Sequence, residues 1–180
     1  AANIIQENYR TKSASFTDFG VNVFGPEGED PFIEKIETIW RIHWRLTLNR
    51  KLTPTWFWYF NYFARSNFDR IGLTSDIIAV FDQTESVVKR DIDCFVRCYC
   101  TTENKLSNIE DTIVGPLADL GLFSNGLGTT LVASRQNRKG ISTPLIASSI
   151  LRLWNNLGRP SKTISLDTLY DAPFSPGRVF

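Results

Sequence analysis

Lys89, Asp93 and Arg97 recur at four-residue spacing in ESVVKRDIDCFVRCY, with Arg90 beside them. That spacing lines them along one face of a helix. Lys and Arg on such a face neutralise phosphates, and charge neutralisation supplies most nucleic-acid affinity. Further basic groups follow a Gly-containing hairpin around Gly126: Arg135, Arg138 and Lys139. Asp91 and Asp93 partly cancel the basic stripe. They stand two residues apart, diverge on a helix and cannot share one ion. Ion pairs with Arg90 and Arg97 are their expected role.

A second constellation is Asp30, Glu34 and His43. Carboxylates and a histidine around Mg²⁺ or Mn²⁺ would activate water for cutting a phosphodiester. These are the candidate catalytic residues. Each also has a plainer role. Asp30 before Pro31 is a helix N-cap, and Glu34 complements a first helical turn. His43, between Trp40 and Trp44, reads as a buried, hydrogen-bonded histidine. Glu110 and Asp111 are the remaining acidic pair. Cys94, Cys98 and Cys100 crowd into seven residues. They lack the spacing and the fourth ligand that zinc needs, so they read as small buried residues. No phosphate loop, dinucleotide glycine motif or serine elbow occurs, and one histidine leaves little room for a triad.

The elements that must position these groups are mostly helical. Residues 4–20 read as a hairpin ending at Gly20, followed by a turn-rich loop. Asp30-Pro31 opens a helix to about Leu48, with apolar residues on a wide face. TPTWFWYFNYFAR forms a second helix, apolar nearly all round and therefore central. Its polar exceptions, Asn61 and Arg65, could reach a groove or a partner. Thr74 caps a third helix over SDIIAVFDQ, and Thr84 caps the fourth. On the fourth, Val88, Ile92, Phe95 and Tyr99 face inward. NGLG then joins two short strands, and STPLIASSILRLWNNLG is a late helix with Gly158 as its stop. Two capped helices followed by a hairpin is the order of a winged helix-turn-helix.

The expected fold is therefore mainly α with short β-hairpins, with winged helix-turn-helix-like modules around an aromatic helical core. Four regions are expected. They are a hairpin or wing remnant (1–29), the aromatic core (30–72), a winged-helix-like module (73–140), and a C-terminal helix with a tail (141–180).

Composition narrows the function classes. Hydrophobic residues are 42% and the net charge is +1, which excludes a histone-like protein and an acidic disordered tail. The charge is nevertheless patchy. Residues 73–120 hold four basic and nine acidic side chains, whereas residues 121–180 hold seven basic and two acidic. No apolar run is long enough for a membrane span, and no secretory signal is legible. The three cysteines fit a reducing compartment, so the expected location is cytoplasmic. The absence of methionine suggests a processed product or a fragment.

Six segments in order carry a family resemblance: FTDFGVNVFG, DPFIEKIETIWRIHW, TWFWYFNYF, SVVKRDIDCFVRCY, EDTIVGPLADLGLF and SPGRVF. Together they resemble the SspB family of bacterial single-strand DNA phosphorothioation anti-phage systems, a domain family of formally unknown function. The resemblance implies DNA nicking that opens the backbone for sulfur insertion. It also implies partners: DNA, a cysteine desulfurase, an ATPase and an ATP-pyrophosphatase-like protein. It further implies segments upstream and downstream of this chain. Asp30, Glu34, Trp40, His43 and Trp44 match the family's first motif. Lys89, Arg90, Asp91, Asp93 and Arg97 match its central one. The resemblance assigns none of them a catalytic role. Two other readings stand beside the nickase: a non-catalytic DNA-docking scaffold for sulfur transfer, and a winged-helix transcriptional regulator.

An aromatic core over residues 31–65 has a direct consequence. Trp58→Ala should cost about 3–5 kcal/mol through the cavity it leaves, read as a sharply lowered melting temperature. A shift under about 2 °C, small beside that cavity cost, would place Trp58 outside the core.

Overall fold

Thr17 decides what the first thirty residues become. Its hydroxyl donates to Asn3 O (2.7 Å) and accepts from Gly20 N (3.1 Å). It thus ends one element and caps the next. The antiparallel hairpin is β1 (Ile5–Asn8) and β2 (Ser13–Phe16), and α1 (Asp18–Phe24) follows at once. The expected hairpin up to Gly20 is therefore shorter, because the cap converts residues 18–24 to helix. Gly20 is required there: a Cβ would lie 2.1 Å from Ile4 O.

The second correction concerns Asp30. It does not start a helix. Its carboxylate accepts from Glu34 N (2.9 Å) and Lys35 N (3.0 Å), which closes a loop. The helix α2 (Ile36–Leu48) begins after that loop, with Lys35 at its N-cap. Asp30 captures the amides just ahead of the helix, so Pro31 lies in a turn. The next helix, α3 (Pro54–Asn61), starts with proline in its first turn as expected.

After the short strand β3 (Asn67–Phe68), α4 (Arg70–Ile78) starts earlier than its pattern predicts. Asp69 is its cap, accepting from Gly72 N at 2.7 Å. Thr74 lies inside the helix and donates back to Arg70 O. The long helix α5 (Glu85–Tyr99) follows Thr84 as predicted, with Val88, Ile92, Phe95 and Tyr99 buried. Next come β4 (Phe123–Asn125) and β5 (Leu131–Ala133), then α6 (Thr143–Asn156) capped by Ser142. Two short helices, α7 (Leu166–Asp171) and α8 (Pro176–Val179), complete the chain. In the three-stranded sheet β5 lies centrally, antiparallel to both β3 and β4.

This computed structural model describes residues 1–63, 65–100, 115–126, 130–134, 138–158 and 162–180. Arg135, Glu110, Asp111 and the tip of the hairpin after Gly126 lie outside the described residues. No helix among the described residues is long and apolar enough to cross a membrane.

The core is aromatic, as the composition implies. Tyr59 and Phe60 of α3, Phe95 and Tyr99 of α5, Phe68 of β3 and Phe123 of β4 form one cluster. Their ring centroids lie 4.9–6.4 Å apart in tilted and edge-on pairs. That geometry adds to their area burial. Trp56 is buried, whereas Trp58 lies at the margin, stacked on Tyr62.

Asn61 does not reach a groove or a partner. It is 1% exposed. Its amide donates to Thr47 O (2.9 Å) and Phe57 O (2.8 Å), and its oxygen accepts from Phe174 N (2.7 Å). It thereby pins the left-handed backbone of Phe174 (φ 68°). Asn61→Leu should lower unfolding free energy by about 3 kcal/mol, because buried backbone groups lose their partners. Urea unfolding checks this. A neutral result would mean that the three bonds do not hold the C-terminal segment.

Candidate nucleic-acid interface

The outer face of α5 carries the predicted basic stripe. Lys89, Arg90 and Arg97 are exposed. Lys89 pairs with Glu85 at 2.6 Å across one helical turn. Among the described residues no ion pair engages Arg90 or Arg97. The two aspartates are not their partners, contrary to expectation. Asp91 turns inward and accepts from the hydroxyl and the amide of Thr55. Asp93 pairs with Arg70 of α4 at 2.7 Å. Tertiary neighbours thus take the carboxylates and leave two arginines facing outward. Counting Arg70, this face holds four cations against the carboxylates of Glu85 and Asp93.

Arg90 stands between two shallow hollows. One is lined by Lys51, Leu52, Pro54 and Val87, among others. The other, about 450 Å³, is lined by Asp93, Cys94, Arg97, Cys98, Gly115 and Pro116 as well as Arg90. Gly115 lets the chain cross the end of α5: a Cβ there would fall 2.2 Å from Arg97 O. Leu117 N then donates to Cys98 O at 2.8 Å. The cysteines are free thiols. Cys94 is exposed rather than buried, because it shares the outward face with Arg90 and Arg97. Burial pushes the Cys98 thiol up to about 12 and also raises Cys100. Such thiols stay protonated near neutral pH.

The remaining basic candidates behave differently. Arg138 is half-buried, and its guanidinium donates to Phe180 O (2.6 Å) and Ser134 O. It ties the end of the chain to the hairpin. Lys139 is exposed, and its carbonyl accepts from the Trp40 indole at 2.9 Å.

Asp30, Glu34 and His43 do not come together as one ligand set. Among the described residues no group of three or more His, Cys, Asp or Glu side chains could hold a metal ion. Asp30 is buried. Burial raises its pKa, but hydrogen bonds from Thr38, Glu34 and Lys35 outweigh that and keep the group below its ordinary value. Glu34 is exposed. His43 is fully buried. Its Nε2 lies 2.7 Å from Val179 O, so this nitrogen carries the proton. Nδ1 then accepts from the Tyr99 hydroxyl at 2.6 Å. Both ring nitrogens are occupied, and Trp40, Phe60 and Tyr99 pack edge-on around the ring. Among the described residues, Asp30, Glu34 and His43 do not form the donor set that a nickase would need for a divalent metal.

A cluster that sequence reasoning missed lies between α1, α2 and α6. Arg41 and Arg45 of α2 both approach the ring of Phe19, at 5.2 and 3.7 Å. Arg41 pairs with Glu29 at 2.6 Å. The available signal was the like-charge repeat at four-residue spacing, which is unfavourable unless something binds it.

The fold has known relatives. A family model described as a protein of unknown function, DUF4007, matches residues 1–180. Two crystal structures of SspB, one of them bound to magnesium ion, are similar to this chain, with TM-scores of 0.78 and 0.77. Each is 23% identical, and each match covers 99% of this chain and 57% of the SspB chain. This chain thus spans less than two thirds of the solved SspB chains. No curated protein sequence matches it.

Burial of His43 predicts a pH effect. Burial, and less strongly the charge of Arg138, lower its pKa from 6.5 to about 4. The unfolded chain therefore binds the proton first as pH falls. The stabilisation is full above pH 6.5 and is lost progressively down to about pH 4. It amounts to about 3 kcal/mol. His43→Gln should remove that part of the stability slope between pH 7 and pH 4, measured by urea unfolding at each pH. Equal slopes in the two proteins would mean that His43 titrates normally.

Proposed function

We propose a function from the premise that this chain belongs to the DUF4007 family: it is a DNA-gripping component of a phosphorothioation system of the SspB kind. The observation that carries this reading is the pair of outward arginines on α5, Arg90 and Arg97, with no ion pair among the described residues. The element order supports it. The helices α3, α4 and α5 bracket β3, and the β4–β5 hairpin follows, with β5 between β3 and β4. That is the order of a winged helix, in which the last helix enters the groove and the hairpin flanks it. Lys89, Arg90 and Arg97 would then contact phosphates, with Lys139 beyond the hairpin. Arg138 takes a structural role instead, since backbone oxygens hold its guanidinium.

In this reading DNA is the substrate, and the other partners are the cysteine desulfurase, the ATPase and the ATP-pyrophosphatase-like protein that make and insert sulfur. Nicking belongs to the same proposal for the complete protein. One of the similar crystal structures of SspB is magnesium-bound. Among the described residues Asp30, Glu34 and His43 do not form one ligand set, so in this reading cutting draws on other residues. A second reading, a docking scaffold that grips DNA and cuts nothing, is favoured by that same dispersal of the three side chains.

Arg90→Ala and Arg97→Ala should each weaken binding to all DNA sequences about equally and reduce the salt slope by about one unit. Fluorescence anisotropy across a salt series reads both quantities. Unchanged slopes in both variants would overturn α5 as the DNA face. A supercoiled plasmid incubated with Mg²⁺, Mn²⁺ or EDTA separates the two readings. Metal-dependent open circles establish nicking, and binding without open circles leaves the scaffold.

A further inference from the structure

Arg65, Arg138 and Arg178 line one hollow, where the residues just after α3 and the base of the β4–β5 hairpin meet α8. A contact with another lining residue places each guanidinium at its wall. That of Arg65 lies 5.6 Å from the centroid of the Phe63 ring, within cation–π range. Arg178 donates from Nη1 to Phe63 O at 3.3 Å, and Arg138 donates from Nη2 to Ser134 O. Phe63 and Ser134 both belong to the lining.

No carboxylate among the described residues lines this hollow. The ion pairs among the described residues are Arg41–Glu29, Arg70–Asp93 and Lys89–Glu85, so none engages the three arginines. The other described bonds of Arg138 and Arg178 go to the backbone oxygens of Phe180 and Asp171. Carbonyl oxygens hold a guanidinium in place without cancelling its charge. Burial lowers the pKa of Arg138, as expected of a cation that has lost water and gained no counterion. Tyr59, Phe60 and Phe123 add apolar surface to the lining. Apolar walls around charges of one sign focus their field. Sequence supplies an independent sign, since residues 121–180 hold seven basic and two acidic side chains. Arg65 is exposed and makes no hydrogen bond among the described residues, so its donors are available to a ligand.

We propose that this hollow seats one phosphate group, bound by Arg65, with Arg138 and Arg178 as fixed cations beside it. A planar guanidinium matches the paired oxygens of such a group. The volume is about 170 Å³. Pockets for whole small molecules measure roughly 300–1,000 Å³, so a single charged group fits this one. The phosphate comes from a nucleic-acid backbone or is a free phosphate. No residue of α5 lines the hollow, so the seat stands or falls apart from the DNA face proposed above.

The test follows the Nε–H signals of Arg138 and Arg178 by NMR in ¹⁵N-labelled protein. Inorganic phosphate and a short oligodeoxythymidylate are titrated at constant ionic strength, with chloride as the reference. A saturable shift is expected with phosphate or the oligonucleotide and not with chloride. Arg65→Gln changes an exposed side chain and should weaken binding about tenfold or more, the loss of one charged hydrogen bond. Ser66→Glu sets a carboxylate at an exposed lining position and should weaken it about tenfold through repulsion. Saturation by the oligonucleotide, alone or more tightly than by phosphate, supports the seat and makes a nucleic-acid backbone the source. Saturation by phosphate alone or more tightly supports it and makes the source a free phosphate. No response to either probe overturns the seat, as does a shift that chloride reproduces or that either variant leaves unweakened.

Discussion

A neutral imidazole at the centre of the molecule joins three parts of the chain that are far apart in sequence. His43 of α2 accepts from Tyr99 of α5 and donates to Val179 of α8. A single ring satisfies both bonds only as the Nε2–H tautomer, and only while uncharged. Desolvation and the nearby Arg138 keep it so. Arg138 in turn holds Phe180, and Lys139 holds Trp40 through its carbonyl. The position of α5, and of everything displayed on it, depends on this arrangement.

That dependence links the core to the proposed DNA face. Phe95 and Tyr99 anchor the inner side of α5 in the ring cluster. Once the inner side is anchored, the outer side is determined by helical geometry. Asp91 is then drawn to Thr55 and Asp93 to Arg70, and among the described residues the remaining arginines meet no carboxylate. Surface pairs such as Arg70–Asp93 add little stability. Their effect here is on the charge pattern that the face presents.

The same argument explains the second basic cluster. The cap at Thr17 turns the chain into α1 and brings Phe19 under Arg45. Without that turn the two arginines of α2 would face solvent as an ordinary repulsive pair. With it, one of them is held by an aromatic ring, half out of water and with no ion pair among the described residues. Charged groups in such surroundings cost free energy unless paired.

Much of this molecule is legible in its residues. Periodicity and caps located α3, α5, α6 and the β4–β5 hairpin, because local hydrogen bonding and one apolar face decide such elements. The same logic identified His43 as buried, since a lone histidine between two tryptophans follows the apolar stripe. It failed at Asp30, Thr17 and Thr74. In each case a short polar side chain could cap more than one amide, and tertiary contacts chose which. Sequence also named the basic residues of α5 but misassigned their partners. Thr55 and Arg70 lie far from Asp91 and Asp93 along the chain, and no spacing rule reaches across that separation. Residue types and local spacing therefore determined the elements and the identity of the charges. Only the tertiary structure decided which charges are paired, which are buried and which are left facing outward, because electrostatics and desolvation act through space rather than along the chain.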